Sequence, residues 1–347
     1  MERKETGTVG LTVIFVLMAA LFLLSPPGVA GAEQQFFRMG DLRLEGGSVI
    51  RDCVLGYRTF GKLNGSGSNA VVFPTWFMGT SAELEAVIGP GKLVDPSRYF
   101  VIAVDAFGNG VSSSPSNSTT QRGVLFPDLT IADMVHAQYR LVTERLGIKH
   151  LHAVIGISMG GMQTFQWLAS YPGSVSKAVP ITGTPRPTSY DLLLYRTGLA
   201  VLDSGQAREV WDDRALAVAA GVFAMASGTP DHFIASQDRA GLSSYLEKAE
   251  REMKEHDPMD IACQLKAMIK HDVYPALGNP AGGDRKITTE TLTVVSARDL
   301  MVNPGPAREL AGFLGGRSLV LNSSCGHYIL QCEGTKITAV VSRFLEK

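Results

Sequence analysis

The sequence has no surplus of either charge. Its 32 Lys and Arg against 33 Asp and Glu leave a net charge of −1 over 347 residues. No Lys/Arg cluster interrupts that balance, so nothing supplies the electrostatic footprint of a nucleic-acid partner. Metal-ligand spacings of the Cys-x-x-Cys or His-Glu-x-x-His kind are absent and the seven His are scattered, so neither a metal nor a cofactor is expected. There is no internal repeat, which excludes a solenoid or propeller. No apolar run reaches the roughly 20 residues that span a bilayer comfortably. Cysteine is scarce, with four in all: Cys53, Cys263, Cys325 and Cys332.

The longest apolar run, Val9 to Leu24, follows a small basic start at Arg3 and Lys4. Ser25-Pro26-Pro27-Gly28 breaks any helix, and Ala30-Gly31-Ala32 offers the small residues a signal peptidase reads. The expectation is a signal peptide over 1–32, cleavage after Ala32, and a periplasmic or secreted protein without stable membrane insertion. An uncleaved anchor is the competing reading. Export would allow two disulfides in any of three pairings, while a large core also accommodates free buried thiols. Both states stay open, as does the choice between monomer and homodimer.

From Glu33 onward, with 45% of the chain hydrophobic, strand-like and helix-like segments alternate. Strands are predicted at Phe36–Leu44, Cys53–Thr59, Ala70–Phe73, Tyr99–Val104, His152–Ile155, Val175–Ile181, Thr291–Ser296 and Ser318–Leu321. Helical spacing marks Ile131–Leu146, Gly160–Ser170, Pro306–Leu314 and Ile337–Glu346. Between about Tyr190 and Ala276 no strand is convincing, and Ala215–Ala226 and Leu242–His256 look helical. The expectation is an α/β fold, one domain over 33–347 with a mostly parallel sheet covered on both faces. A helical cap, inserted at about 186–280, would lie over the carboxyl edge of the sheet, where ligands bind in such folds.

Gly156-Ile157-Ser158-Met159-Gly160-Gly161 follows an apolar strand and opens a helix. That is the setting of a nucleophile elbow, whose tight turn lifts a serine hydroxyl above the sheet. A serine hydroxyl attacks poorly unless a base takes its proton, and in this fold an acid and then a His follow after later strands. Asp299 lies just past one such strand and His327 past the next, one strand–helix–strand step apart. The tetrahedral oxyanion then needs two N–H donors. The Met159 amide and one from Thr75-Trp76-Phe77-Met78-Gly79, taken as Phe77, fit that need. The expected substrate is a small ester or acyl compound.

These stretches resemble the homoserine O-acetyltransferase family of α/β-hydrolase-fold enzymes from about Leu55 to the C-terminus. The likeness is carried by Tyr57-x-Thr59-x-Gly61-x-Leu63-Asn64, Ile88-Gly89-Pro90-Gly91-Lys92, Arg98-Tyr99-Phe100-Val101-Ile102, Phe126-Pro127-Asp128-Leu129-Thr130-Ile131 with Asp133-Met134-Val135, and the elbow with its tail Met162-Gln163. The resemblance implies an α/β-hydrolase fold, a Ser158–Asp299–His327 triad and oxyanion donors at Phe77 and Met159. It also implies an acidic residue directly after the triad His and a cap Arg that clamps the substrate carboxylate. Here Tyr328 stands in the first place, as a candidate substrate contact, and the second falls near Ala220, where there is no Arg. A zwitterion desolvated without either partner binds poorly, and acetyl-CoA is cytosolic. The leading expectation is therefore an exported serine hydrolase working through an acyl-enzyme. The alternatives are a homoserine or serine O-acetyltransferase using acetyl-CoA, and a non-catalytic exported binding protein.

Overall fold

The computed structural model describes residues 32–206, 213–278 and 287–347. The expected signal peptide falls outside the described residues except for Ala32, the expected cleavage residue. Eight strands form one sheet: β1 Gln35–Arg43, β2 Val49–Phe60, β3 Ala70–Pro74, β4 Phe100–Val104, β5 Leu151–Ile157, β6 Val175–Ile181, β7 Glu290–Ser296 and β8 Arg317–Leu321. Their spatial order is β1-β2-β4-β3-β5-β6-β7-β8. The first two strands and the β2–β4 pair run antiparallel, and every later neighbour is parallel.

The parallel strands read as apolar runs because both faces are covered. In β3, Val72 packs into the cluster that contains helix α1 (Ile131–Arg140), while Val71 and Phe73 face the C-terminal helix on the other side. In β4, Ile102 and Val104 divide from Val101 and Ala103 in the same way. This two-residue period fixes the register, since a slip of one would turn each set to the wrong face. Each Val, Ile or Phe side chain among them contributes about 1.5–3 kcal/mol when buried.

Helix α2 (Met159–Ser170) packs against β5 and β6. Helix α1 starts at a Thr130–Asp133 capping box, a device contributing about 1 kcal/mol. The α-helix predicted over Ile131–Leu146 ends at Arg140 and finishes as a π turn over Leu141–Arg145. There Thr143 Oγ1 donates to the Tyr139 carbonyl at 2.8 Å, and the Leu146 amide reaches back to Leu141 at 3.0 Å. Such back-bonding loosens a regular helix.

Among the described residues, six helices separate β6 from β7: α3 Ser189–Gln206, α4 Asp213–Ser227, α5 Pro230–Ser236, α6 Leu242–Lys254, α7 Pro258–Ile269 and α8 Tyr274–Leu277. They touch the loops at the carboxyl ends of β3, β7 and β8. After β7 comes α9 (Pro304–Phe313), and after β8 comes α10 (Ile329–Glu346). The last helix begins eight residues before the Ile337 expected from apolar spacing. Its first turns bury Ile329 but carry exposed Gln331 and Cys332 and the helix-weakening Gly334. No described helix is long and apolar enough to cross a membrane.

Candidate active site

Ser158 sits between β5 and α2 at φ 57 and ψ −120. This region is strained for a non-Gly residue, by about 1–3 kcal/mol, and persists only where its surroundings enforce it. The surroundings here are glycines. A Cβ on Gly156 would overlap the Gly160 carbonyl, and one on Gly160 would come within 2.6 Å of the Pro74 oxygen. The Ser158 amide donates to the Ile181 carbonyl at 2.9 Å, which ties the turn to the neighbouring strand.

The three side chains expected to act together form one hydrogen-bonded chain. His327 Nε2 lies 2.9 Å from Ser158 Oγ, and His327 Nδ1 lies 2.8 Å from Asp299 Oδ2. A carboxylate only accepts, so Nδ1 carries the proton and Nε2 is left to accept from the serine hydroxyl. Asp299 Oδ1 accepts from the Met301 and Val302 amides, both at 2.9 Å, which fixes the carboxylate plane. All three residues are buried. A hydroxyl so placed can pass its proton to the imidazole as it attacks an electrophilic carbon.

The Phe77 amide makes no backbone hydrogen bond among the described residues. Met159 is the first residue of α2, so its amide has no partner within that helix. Among the described residues neither amide donates to a loop or turn carbonyl, the condition that the two expected oxyanion donors must meet. The turn carrying Phe77 is held from the cap. Gln264 of α7, fully buried, accepts from the Met78 amide at 2.7 Å and donates to the Phe107 carbonyl at 3.0 Å. Phe77 also packs on Phe223 of α4, with ring centroids 5.7 Å apart.

Gln264 was invisible to sequence reasoning, and so were two supports of Asp299. Tyr195 of α3 donates to the Met301 carbonyl at 3.1 Å, and Asp191 accepts from the Asn303 amide at 2.8 Å. Burial raises the Asp191 carboxyl above its ordinary range, against the hydrogen bonds from Thr188 and Asn303 that lower it. Burial likewise pushes the Tyr195 phenol well up, so both hydroxyl and hydrogen-bond geometry persist at neutral pH. The Thr188-x-x-Asp191 capping box marks Asp191 as part of a helix start, but no motif signals its reach to Asn303, nor Gln264 or Tyr195.

Tyr328 follows the triad His but turns to the cap. Its ring centroid is 6.3 Å from that of His327, its hydroxyl bonds to the Ser227 side chain, and burial pushes its phenol up. It lines an apolar trough of about 910 Å³ between α4, α5 and α6, whose lining includes none of the triad residues. Ala220, near the place of the missing Arg, is buried in α4. Two other cap-side arginines do not replace it. Arg186 pairs with Asp272 at 3.8 Å and stacks over Tyr274, and Arg196 is exposed. Of the cysteines, Cys325 and Cys332 are joined, while Cys53 and Cys263 are free and buried. Burial pushes both free thiols up to about 12, so neither is a reactive thiolate.

Known proteins resemble this chain in sequence and in fold. The family described as alpha/beta hydrolase fold matches residues 71–330. An ethyl acetate hydrolase from Pseudomonas veronii is 42% identical over 161 residues, 46% of this chain and 46% of that protein. A homoserine O-acetyltransferase from Pelobacter propionicus is 37% identical over 175 residues, 45% of this chain and 47% of that protein. The chain thus spans about half the length of the curated relatives it matches. A solved acetylester hydrolase from Corynebacterium glutamicum superposes with a TM-score of 0.83, covering 91% of this chain and 96% of that one at 26% identity. The resemblance to homoserine O-acetyltransferases read from the motifs therefore holds, and esterases share it.

Proposed function

Because the chain belongs to the α/β-hydrolase fold family, we propose that it is an exported serine hydrolase that cleaves small esters through an acyl-enzyme. The observation that carries this reading is the Ser158–His327–Asp299 chain of 2.9 and 2.8 Å hydrogen bonds. Ser158 Oγ attacks the ester carbonyl while His327 Nε2 takes its proton. The Phe77 and Met159 amides receive the oxyanion. His327 then returns the proton to the departing alkoxide, leaving the acyl group on Ser158. Water attacks that ester with His327 again as base, and the carboxylic acid leaves as Ser158 regains its proton. Asp299 holds the imidazole in the required tautomer and stabilises the imidazolium throughout.

Small acyl groups are favoured by the likeness to an ethyl acetate hydrolase. Transfer to homoserine is disfavoured by chemistry. Tyr328 offers no negative charge to an ammonium, and the position near Ala220 holds no arginine to meet a carboxylate. Each lost charge-assisted contact to a buried ion costs roughly 2–5 kcal/mol, so two together weaken transition-state binding by several powers of ten. Purified protein is expected to hydrolyse ethyl acetate and p-nitrophenyl acetate without homoserine-dependent release of CoA from acetyl-CoA. Homoserine-dependent turnover with a KM in the ordinary range of about 1 μM–1 mM would replace this reading with the acetyltransferase one. A binding protein that kept the fold is disfavoured by the intact hydrogen-bonded triad.

Export is part of the proposal. It rests on the apolar run Val9–Leu24 and the Ala30-Gly31-Ala32 signal. N-terminal sequencing of protein recovered outside the cytoplasm should begin at Glu33. Recovery of intact Met1 in a membrane fraction would overturn that part.

A further inference from the structure

Three metal-ligand atoms, two sulfurs and an imidazole nitrogen, converge where the cap meets the turn of the triad His. His232 of α5 is half-buried, Cys325 is fully buried two residues before His327, and Cys332 is exposed on α10. Their imidazole nitrogen and two sulfurs all lie within 4.8 Å of one another. His232 Nδ1 stands 3.6 Å from Cys325 Sγ. In a tetrahedral zinc site, with sulfur at about 2.3 Å and nitrogen at about 2.0–2.1 Å, the S···N edge is about 3.6 Å. The Cys325–Cys332 Cα separation is 6.4 Å and the residues are seven apart. His232 and Cys332 also line the open apolar trough, which gives an ion access from solvent.

We propose that the dithiol form of this pair, with His232, binds a thiophilic divalent cation of the zinc type. It would be held by two thiolates and one imidazole, with a fourth position open to water. Reaching that form takes a small thiol as reductant. The Cys325–Cys332 bond breaks, each sulfur gains one electron and one proton, and two thiol molecules leave as their disulfide. The cation then displaces the two thiol protons, since the thiolate is the ligand. The segments it joins already meet: the Thr229 amide and hydroxyl, at the start of α5, both donate to the Ser324 carbonyl at 3.1 and 2.7 Å. The cation adds a second tie between the cap and the segment that carries His327. Disulfide and metal site are thus alternative states of one pair of sulfurs.

The test is cobalt titration of the full chain, oxidised and after reduction by a small thiol removed under argon. The reduced chain is expected to bind one Co²⁺, with a thiolate-to-cobalt charge-transfer band that Zn²⁺ abolishes. The oxidised chain should show none. Cys332→Ser, an exposed change, and His232→Gln should each weaken binding by at least the roughly 10–100-fold that loss of a mere outer partner costs. No band from the reduced chain overturns the proposal. So does a band as strong in the oxidised chain, a band untouched by both substitutions, or a disulfide that native protein does not release to the thiol.

Discussion

The parallel strands and the helices between β6 and β7 hold their groups in different ways. Strands β3 to β7 are buried nearly throughout, and each is held by a backbone ladder to its neighbours. Ser158 and Asp299 follow two of those strands, β5 and β7, and His327 follows β8 at the sheet edge. The cap leaves large apolar side chains in water, among them Val218, Met225, Ile234 and Leu246. It reaches the site through a few side-chain bonds: Gln264 to Met78, Tyr195 to Met301, Asp191 to Asn303 and Thr229 to Ser324. The lesson is a division of labour. The sheet fixes the reacting atoms, and the cap steadies the loops that carry them and shapes what comes near.

That division is broken most directly at the strand ends. Ser158→Ala should lower kcat for ester hydrolysis by on the order of 10⁴- to 10⁶-fold while leaving circular dichroism unchanged. A loss smaller than tenfold would move the chemistry elsewhere. Asp299→Asn keeps the shape but offers an amide that favours the wrong imidazole tautomer. Its expected cost is about 10⁴-fold in kcat, read in the same assay. In the cap, Gln264→Leu should act through the Phe77 turn that it steadies, costing about 10–100-fold in kcat with a smaller effect on KM. An unchanged kcat would remove α7 from the support of the site.

How much could be read in the sequence follows the same line. Short apolar runs between turn residues mark Val175–Ile181 to the residue and β3, β4, β5, β7 and β8 to within two, whereas antiparallel β2 begins four residues before the expected Cys53. Ser158, Asp299 and His327 were legible because strand–turn–helix order constrains where they stand. The cap was harder. Apolar spacing does not place helices α3, α5, α7 and α8, although Thr229-Pro230 and Asp257-Pro258 carry the N-cap and N1 proline of α5 and α7. Gln264 and Tyr195 lie far along the chain from the residues they hold, and pairing at that range leaves no local pattern. Cys325, Cys332 and His232 escaped for the same reason, since the His enters from α5.

The seam between the two regions should respond to acid. His271 lies just past α7, wholly buried, with Nε2 donating to the Thr184 carbonyl at 3.1 Å after β6. Burial lowers its pKa from 6.5 to about 4, so the unfolded chain binds that proton more readily than the folded one. The stability this contributes is complete above about pH 6.5 and is lost as pH falls toward 4, by up to about 3 kcal/mol. Urea unfolding at pH 7.5 and 4.5 should show a smaller acid loss for His271→Gln than for the natural chain. Equal losses would contradict the assignment. The smallest effect belongs to the trough. Met225→Ser, at a residue 74% exposed, should leave stability within about 0.5 kcal/mol and acetate ester turnover within about twofold. A tenfold loss of turnover would join the trough to the reacting site and erase the distinction drawn between them.

The central claim is that Ser158 is the nucleophile, and a serine-directed fluorophosphonate with peptide mass spectrometry tests it most directly. The account predicts one adduct per chain, on the peptide containing Ser158, and none on Ser158→Ala that retains its fold. Full labelling of the Ser158→Ala protein, or an adduct on any other residue of the natural chain, would contradict it.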